Sequence, residues 1–129
     1  MTKAEAIKYW QVGARRDLKT AQDFLASKHY DWCLFLGHLA LEKIIKGLVV
    51  KRINKNPLPI HDLIRLCHQA KINLTQEQII QLKEINRFNL ETRYDDYKFK
   101  FYKKATRTFS AFWLKIIKEE FFQWFKKLY

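Results

Sequence analysis

The sequence predicts an all-α fold, an up-and-down bundle of four to five helices, and three observations carry that expectation. Apolar residues recur at three- and four-residue spacing along most of the chain. Only 3 glycines and 2 prolines occur in 129 residues, too few for the many tight turns of an all-β fold. Both prolines fall in one stretch, INKNPLPIHD, which breaks the chain between long periodic segments. With 48% apolar and 29% charged residues the composition is globular, which excludes collagen-like, low-complexity and disordered chains. A chain of this length buries roughly two thirds of the surface its unfolded form exposes, so a single domain needs no metal or disulfide to hold it together. That domain is expected to span residues 1–129.

The first helix is expected from about Thr2 to Ser27, where Ala6, Tyr9, Trp10, Gly13, Ala14, Leu18, Ala21, Phe24 and Leu25 follow the helical period and SKHYD supplies the stop. Tyr30 opens a second helix running to about Arg52. Cys33, Leu34, Leu36, Gly37, Ala40, Leu41, Ile44, Ile45 and Leu48 give it a face wide enough for the centre of a bundle, with Lys43, Lys46 and Lys51 pointing elsewhere. After the proline loop, Asp62 caps a short helix through about Ala70. Thr75, with Gln78 three residues on, makes a capping box for a helix carrying Ile79, Ile80, Leu82, Ile85 and Phe88. NLETRYDDY is polar, lacks a clear period and reads as a loop. A final helix is expected from about Phe99 to Leu128, with Ala105, Phe109, Phe112, Trp113, Ile116, Ile117 and Phe121 as its core stripe. Its last turns are apolar nearly all round. The excess at Phe121, Phe122, Trp124 and Phe125 predicts either a partner chain or an aromatic-rich end packed inside the monomer.

Cys33 and Cys67 have no CxxC partner and read as reduced thiols of a cytoplasmic protein. The N-terminal segment lacks an apolar h-region, and no stretch approaches the length of a membrane span. Lys plus Arg number 25 against 13 Asp plus Glu, and the formal charge of +12 predicts attraction to polyanions or to an acidic protein.

Two constellations can carry chemistry. His38 and Glu42 are four apart and share one face of the second helix with Lys46. A histidine and a carboxylate so placed can act as a base and its orienter, or form a buried ring satisfied by the carboxylate. The second is a basic run, Arg87, Arg93, Lys98, Lys100, Lys103, Lys104 and Arg107, interleaved with Tyr94, Tyr97, Phe99, Phe101 and Tyr102. Cations that neutralise phosphates and rings that stack on bases suit single-stranded nucleic acid, while a solvated basic face beside core aromatics has the same composition. His61, Asp62, Cys67 and His68 match no familiar zinc spacing, so no metal or cofactor is expected; Asp62 serves as the cap and His61 sits in the loop. The P-loop, GxGxxG, HExxH and GxSxG signatures are absent.

Together these landmarks resemble the HEPN domain, a helical family often encoded beside a small nucleotidyltransferase. The resemblance rests on Asp17, Leu18 and Ala21 in the first helix, Tyr30 in the turn, and His38, Ala40, Glu42, Lys43 and Lys46 in an H-x-A-x-E-K-x-x-K pattern. It continues through Pro59, His61, Asp62 and Leu63 as P-x-H-D-L and through Arg93, Tyr94 and Asp96 as an R-Y-P-D loop, in which Asp95 replaces the proline. Leu39 stands where a glutamine is common. The resemblance implies a helical bundle, a homodimer, and a partner nucleotidyltransferase in a toxin–antitoxin-like pair. It implies nucleotide or RNA phosphates as ligands, with His38, Glu42, Lys43, Lys46, Arg93, Tyr94, Lys98 and Lys100 as binding candidates.

Many members of that family look like metal-independent ribonucleases that use an arginine followed, after four to six residues, by a histidine. None of His29, His38, His61 and His68 stands at that distance after an arginine. The window after Arg93 holds Lys98, Phe99 and Lys100, and a lysine charged at neutral pH is a poor proton shuttle. The expected function is therefore a phosphate-binding module. The enzyme alternative is an RNA endonuclease in which the Arg93 loops of two protomers form a composite basic site at a dimer interface. A third class is a nucleotide-binding accessory subunit whose Lys43, Lys46 and Arg93 hold phosphates.

Overall fold

Thr2 accepts a hydrogen bond from the Glu5 amide while the Glu5 carboxylate reaches back to the Thr2 amide, and this capping box starts α1, Lys3–Ala26. The computed structural model describes the backbone of residues 1–129 and all side chains except those of residues 95–98. After α1, Lys28 takes a left-handed conformation, φ 68°, and the chain turns directly into α2, Tyr30–Ile53. The two helices run antiparallel: Asp17 meets Lys43, and Trp10 meets Lys46 and Gly47. A Cβ on Gly47 would collide with the Tyr129 hydroxyl and press on Trp10, so glycine is what lets both rings close on α2. Asn54, left-handed at φ 52°, ends the helix.

α2 is the centre of the bundle, as its broad apolar face predicts. Cys33, Leu34, Leu41, Ile44, Ile45 and Leu48 are sealed against α1, α4 and the C-terminal helices. Burial pushes both thiols, Cys33 and Cys67, up to about 12, so they are inert core residues. The lysines of α2 do not all point away: Lys46 is buried, which corrects the expectation.

Asp62 accepts bonds from the Ile64 and Arg65 amides and caps α3, Leu63–Gln69. The Thr75–Gln78 capping box forms as expected and starts α4, Gln76–Arg93. This helix does not stop at Phe88. It runs through the stretch that reads as a loop because Asn89 and Thr92 face α2 and find partners there, Asn89 at the His38 ring and the Thr92 hydroxyl at the Asp31 carbonyl.

The single final helix expected over about 99–128 is divided by a turn at Ala105 and Thr106 into a short helix and a second, continuous helical run. α5, Asp95–Lys104, ends at Ala105, and Thr106 caps α6, Arg107–Lys115, by accepting from the Phe109 amide. A π-helical stretch, Ile116–Phe122, leads into α7, Gln123–Lys127. Its wider turn places the neighbours Phe121 and Phe122 inside together, and Phe125 is also buried. The aromatic excess is thus packed within the monomer, with Trp124 half-buried, and is not an exposed interface. Phe112, expected in the core stripe, is 52% exposed. The described residues contain helices and no strand, and no helix among them is long and apolar enough to cross a membrane.

Candidate functional site

The helical spacing that puts His38, Glu42 and Lys46 on one face of α2 sets His38 against the α2–α3 loop and α4, Glu42 against that loop, and Lys46 beside Trp10 of α1. Glu42 does not orient His38. Its Oε1 lies 4.0 Å from His38 Nδ1 and instead accepts the Nδ1–H of His61 at 2.8 Å. Its Oε2 accepts from Lys46 Nζ at 2.9 Å. Lys46 also lies 5.5 Å from the centre of the Trp10 ring, so a buried cation is matched by a carboxylate and a π-face.

His38 is fully buried, and its two ring nitrogens have different partners. Nε2–H donates to the His61 carbonyl at 2.9 Å, and Nδ1 accepts from the Asn89 side-chain nitrogen at 3.3 Å. A carbonyl can only accept, which fixes the tautomer. Burial lowers the pKa of this ring to about 4, against the opposing pull of the Glu42 charge, so it is neutral at physiological pH. Beside it Asn86 donates to Asp62 and accepts from the Leu63 amide, which pins the start of α3 to α4.

Asn89 then presents its oxygen to Arg93. Arg93 Nη2 donates to Asn89 Oδ1 at 2.7 Å, and Nε donates to the Asn89 carbonyl at 3.1 Å. The guanidinium is held at two points by neutral acceptors, while the residue itself is exposed and lies 5.6 Å over the Tyr94 ring. Tyr94 is half-exposed at the end of α4.

The other candidate cations are placed differently. Lys43 Nζ stands 2.7 Å from Asp17 Oδ2, a close charge pair without hydrogen-bond geometry. It borders a groove of about 410 Å³ with Glu5, Lys8, Tyr9, Gly13 and Arg16, which no residue of the His38 network lines. Arg87 is held by Glu84 and Glu91, and Lys104 by Glu84. Lys100 is exposed on α5 and pairs with no carboxylate among the described residues. The side chain of Lys98, like those of Tyr97, Asp95 and Asp96, lies outside the described residues. His61 and Cys67 do not converge on a shared point, and no group of three metal-ligating side chains occurs among the described residues.

The structure therefore brings His38, Glu42, Lys46 and Arg93 into one continuous network, through residues that spacing does not single out: His61 and Asn89. The signal for Asn89 is in the sequence. Leu82, Ile85, Asn89 and Thr92 follow the helical period, so a polar pair continues the buried stripe of α4.

A family model for the HEPN domain matches residues 7–128. The chain belongs to the HEPN domain family. Among solved structures it is similar to the crystal structure of TT1696 from Thermus thermophilus, with a TM-score of 0.80 at 19% identity over 95% of this chain and 98% of that one. At that identity the likeness is one of fold. No curated protein matches the sequence. Arg93 is held in place by neutral acceptors, without being neutralised. The arrangement can offer a rigid, charged fork to a phosphate.

Proposed function

We propose that this HEPN domain is a cytoplasmic binding module that takes the phosphates of RNA or of a nucleotide on Arg93, working as a homodimer with a small nucleotidyltransferase in a toxin–antitoxin-like pair. Arg93 carries the phosphate reading. Lys43 and Lys46 face carboxylates and have little field left for a ligand, whereas Arg93 is exposed and fixed by an amide and a carbonyl that leave its charge intact. Tyr94 beside it offers a ring, and Lys100 a further cation. Membership of the HEPN family supports the partner, the pair and the dimer; the C-terminal aromatics, being buried, lend the dimer no support.

Fluorescence anisotropy with a labelled RNA, repeated over a salt series, tests the reading. Affinity should fall steeply with salt, and Arg93→Ala should make the log–log slope shallower by about one while weakening RNA of any sequence by a similar factor. An unchanged slope in Arg93→Ala removes the assignment. Light scattering on the chain alone should give twice the monomer mass, and a monomer at high concentration removes the dimer.

The endonuclease is the second reading, and His61 is the observation that favours it. Its Nδ1–H is given to Glu42, which leaves Nε2 with no partner among the described residues and its lone pair open to a substrate proton, on a residue linked to Arg93 through His38 and Asn89. RNA cleavage that disappears in both His61→Ala and Arg93→Ala, with the fold intact, would establish this reading over the binding module.

A further inference from the structure

We propose that the outer face of α5 is a stacking platform that makes this HEPN domain select single-stranded over duplex RNA. The inference rests on the phosphate reading above and names the form of the ligand. Phe101 and Ala105 turn inward from α5, with the Phe101 ring 5.7 Å from that of Phe88, and they anchor the helix to the core. Phe99, Tyr102 and Lys103 stand three and four residues apart and so share another face. There Phe99 is 71% and Tyr102 66% exposed, so neither ring is needed to hold α5 in place.

The setting of these rings is cationic. Lys103 Nζ lies 5.5 Å from the centre of Phe99, Lys100 and Lys103 are exposed on the same helix, and α5 follows directly on Arg93 and Tyr94. A ring with an ammonium over one face keeps an open edge and a second face. An unpaired base joins a flat π-face to a phosphate within one nucleotide, and that pairing of features matches a ring set beside a cation. A duplex hides its base faces in the helix stack, and an acidic protein surface does not couple a flat ring to each of its anionic groups as a nucleotide does. The charge of +12 complements a polyanion, and the platform adds selection for an unpaired one.

The test compares a labelled 12-nucleotide oligouridine with an RNA duplex of equal phosphate number, over a salt series, for the full chain, for Arg93→Ala, and for Phe99→Leu combined with Tyr102→Leu. The unsubstituted chain should bind the single strand more tightly. The double leucine variant should lose about tenfold in affinity for it, within the range known for base–aromatic stacking, with an unchanged salt slope because no phosphate contact is removed. Circular dichroism should show undiminished helicity, as expected for two exposed positions. Equal affinity for strand and duplex, or a double variant that binds as well as the original, overturns the platform; the phosphate reading still stands if Arg93→Ala lowers the slope. Absence of RNA binding at low salt overturns the platform together with the RNA form of the phosphate reading. A double variant that halves the mass in light scattering without changing RNA affinity also overturns the proposal, by making this face a contact between copies of the chain.

Discussion

The network that runs from Lys46 through Glu42, His61, His38 and Asn89 to Arg93 and the outer face of α5 both carry cations, yet they stand in opposite relations to the fold. In the network each buried polar group has a partner: ammonium with carboxylate, ring nitrogen with carbonyl, amide with guanidinium. On α5, Phe99, Lys100, Tyr102 and Lys103 face water. Charges in a low-dielectric interior interact strongly, and leaving one unmatched is costly, whereas exposed charges are screened and contribute little. A change in the network should therefore be felt first as lost stability, and a change on α5 as lost binding with the fold untouched.

Glu42→Gln should have the largest effect. It leaves the Lys46 ammonium buried without a counter-charge, and urea unfolding should show a loss of about 3 kcal/mol, in the range for breaking a buried pair from one side. Replacing Glu42 and Lys46 together by methionine should cost less than that single change. A loss below half a kcal/mol in Glu42→Gln would make the network as expendable as the surface.

His38 supplies the next test. Its pKa in the fold, about 4, lies below the ordinary 6.5, so as pH falls the unfolded chain takes up the proton first. The stability tied to a neutral ring is fully present above about pH 6.5 and is lost as pH falls toward 4, by roughly 3 kcal/mol at most. Unfolding midpoints measured across that window should drop further in the natural protein than in His38→Gln, which has no proton to gain there. Equal drops would mean that the ring is not sealed from water.

Asn89→Ala spans both regions. It removes the partner of His38 Nδ1 and one acceptor of Arg93, so a stability loss of about 1–2 kcal/mol should accompany a weaker grip on RNA phosphates. Asn89→Asp should not restore binding, because a carboxylate at that place would neutralise the guanidinium. At the small end, Phe99→Ala should shift stability by less than about 0.5 kcal/mol, since the ring leaves no cavity behind. A larger shift in thermal unfolding would show that α5 depends on its outer face.

The parts of the fold that could be read from the sequence are those fixed by neighbours along the chain. The Thr2–Glu5 and Thr75–Gln78 boxes, the Asp62 cap and the apolar face of α2 lie within a few residues of what they determine. The extension of α4 through Asn89 and Thr92, the burial of Lys46 and the division of the last helix depend on groups far away in sequence. Asn89 is fifty-one positions from His38, and no local count of polar residues reveals that they meet. The site divides in the same way. Spacing places His38, Glu42 and Lys46 on one face, but their roles are set by His61, whose ring takes Glu42 and whose carbonyl takes His38.

That carbonyl gives the network a direction. Because it can only accept, it dictates which nitrogen of His38 bears hydrogen, then which end of the Asn89 amide turns to the ring, and so that oxygen faces Arg93. The orientation of a surface arginine is thus inherited from the main chain of a loop on another part of the bundle, through dipoles and without any transfer of charge. Swapping the side chain at position 61 leaves the carbonyl in place and the alignment intact, whereas an inserted residue in the loop between α2 and α3 would shift it. Length, more than composition, is what that loop must conserve to keep the guanidinium aimed.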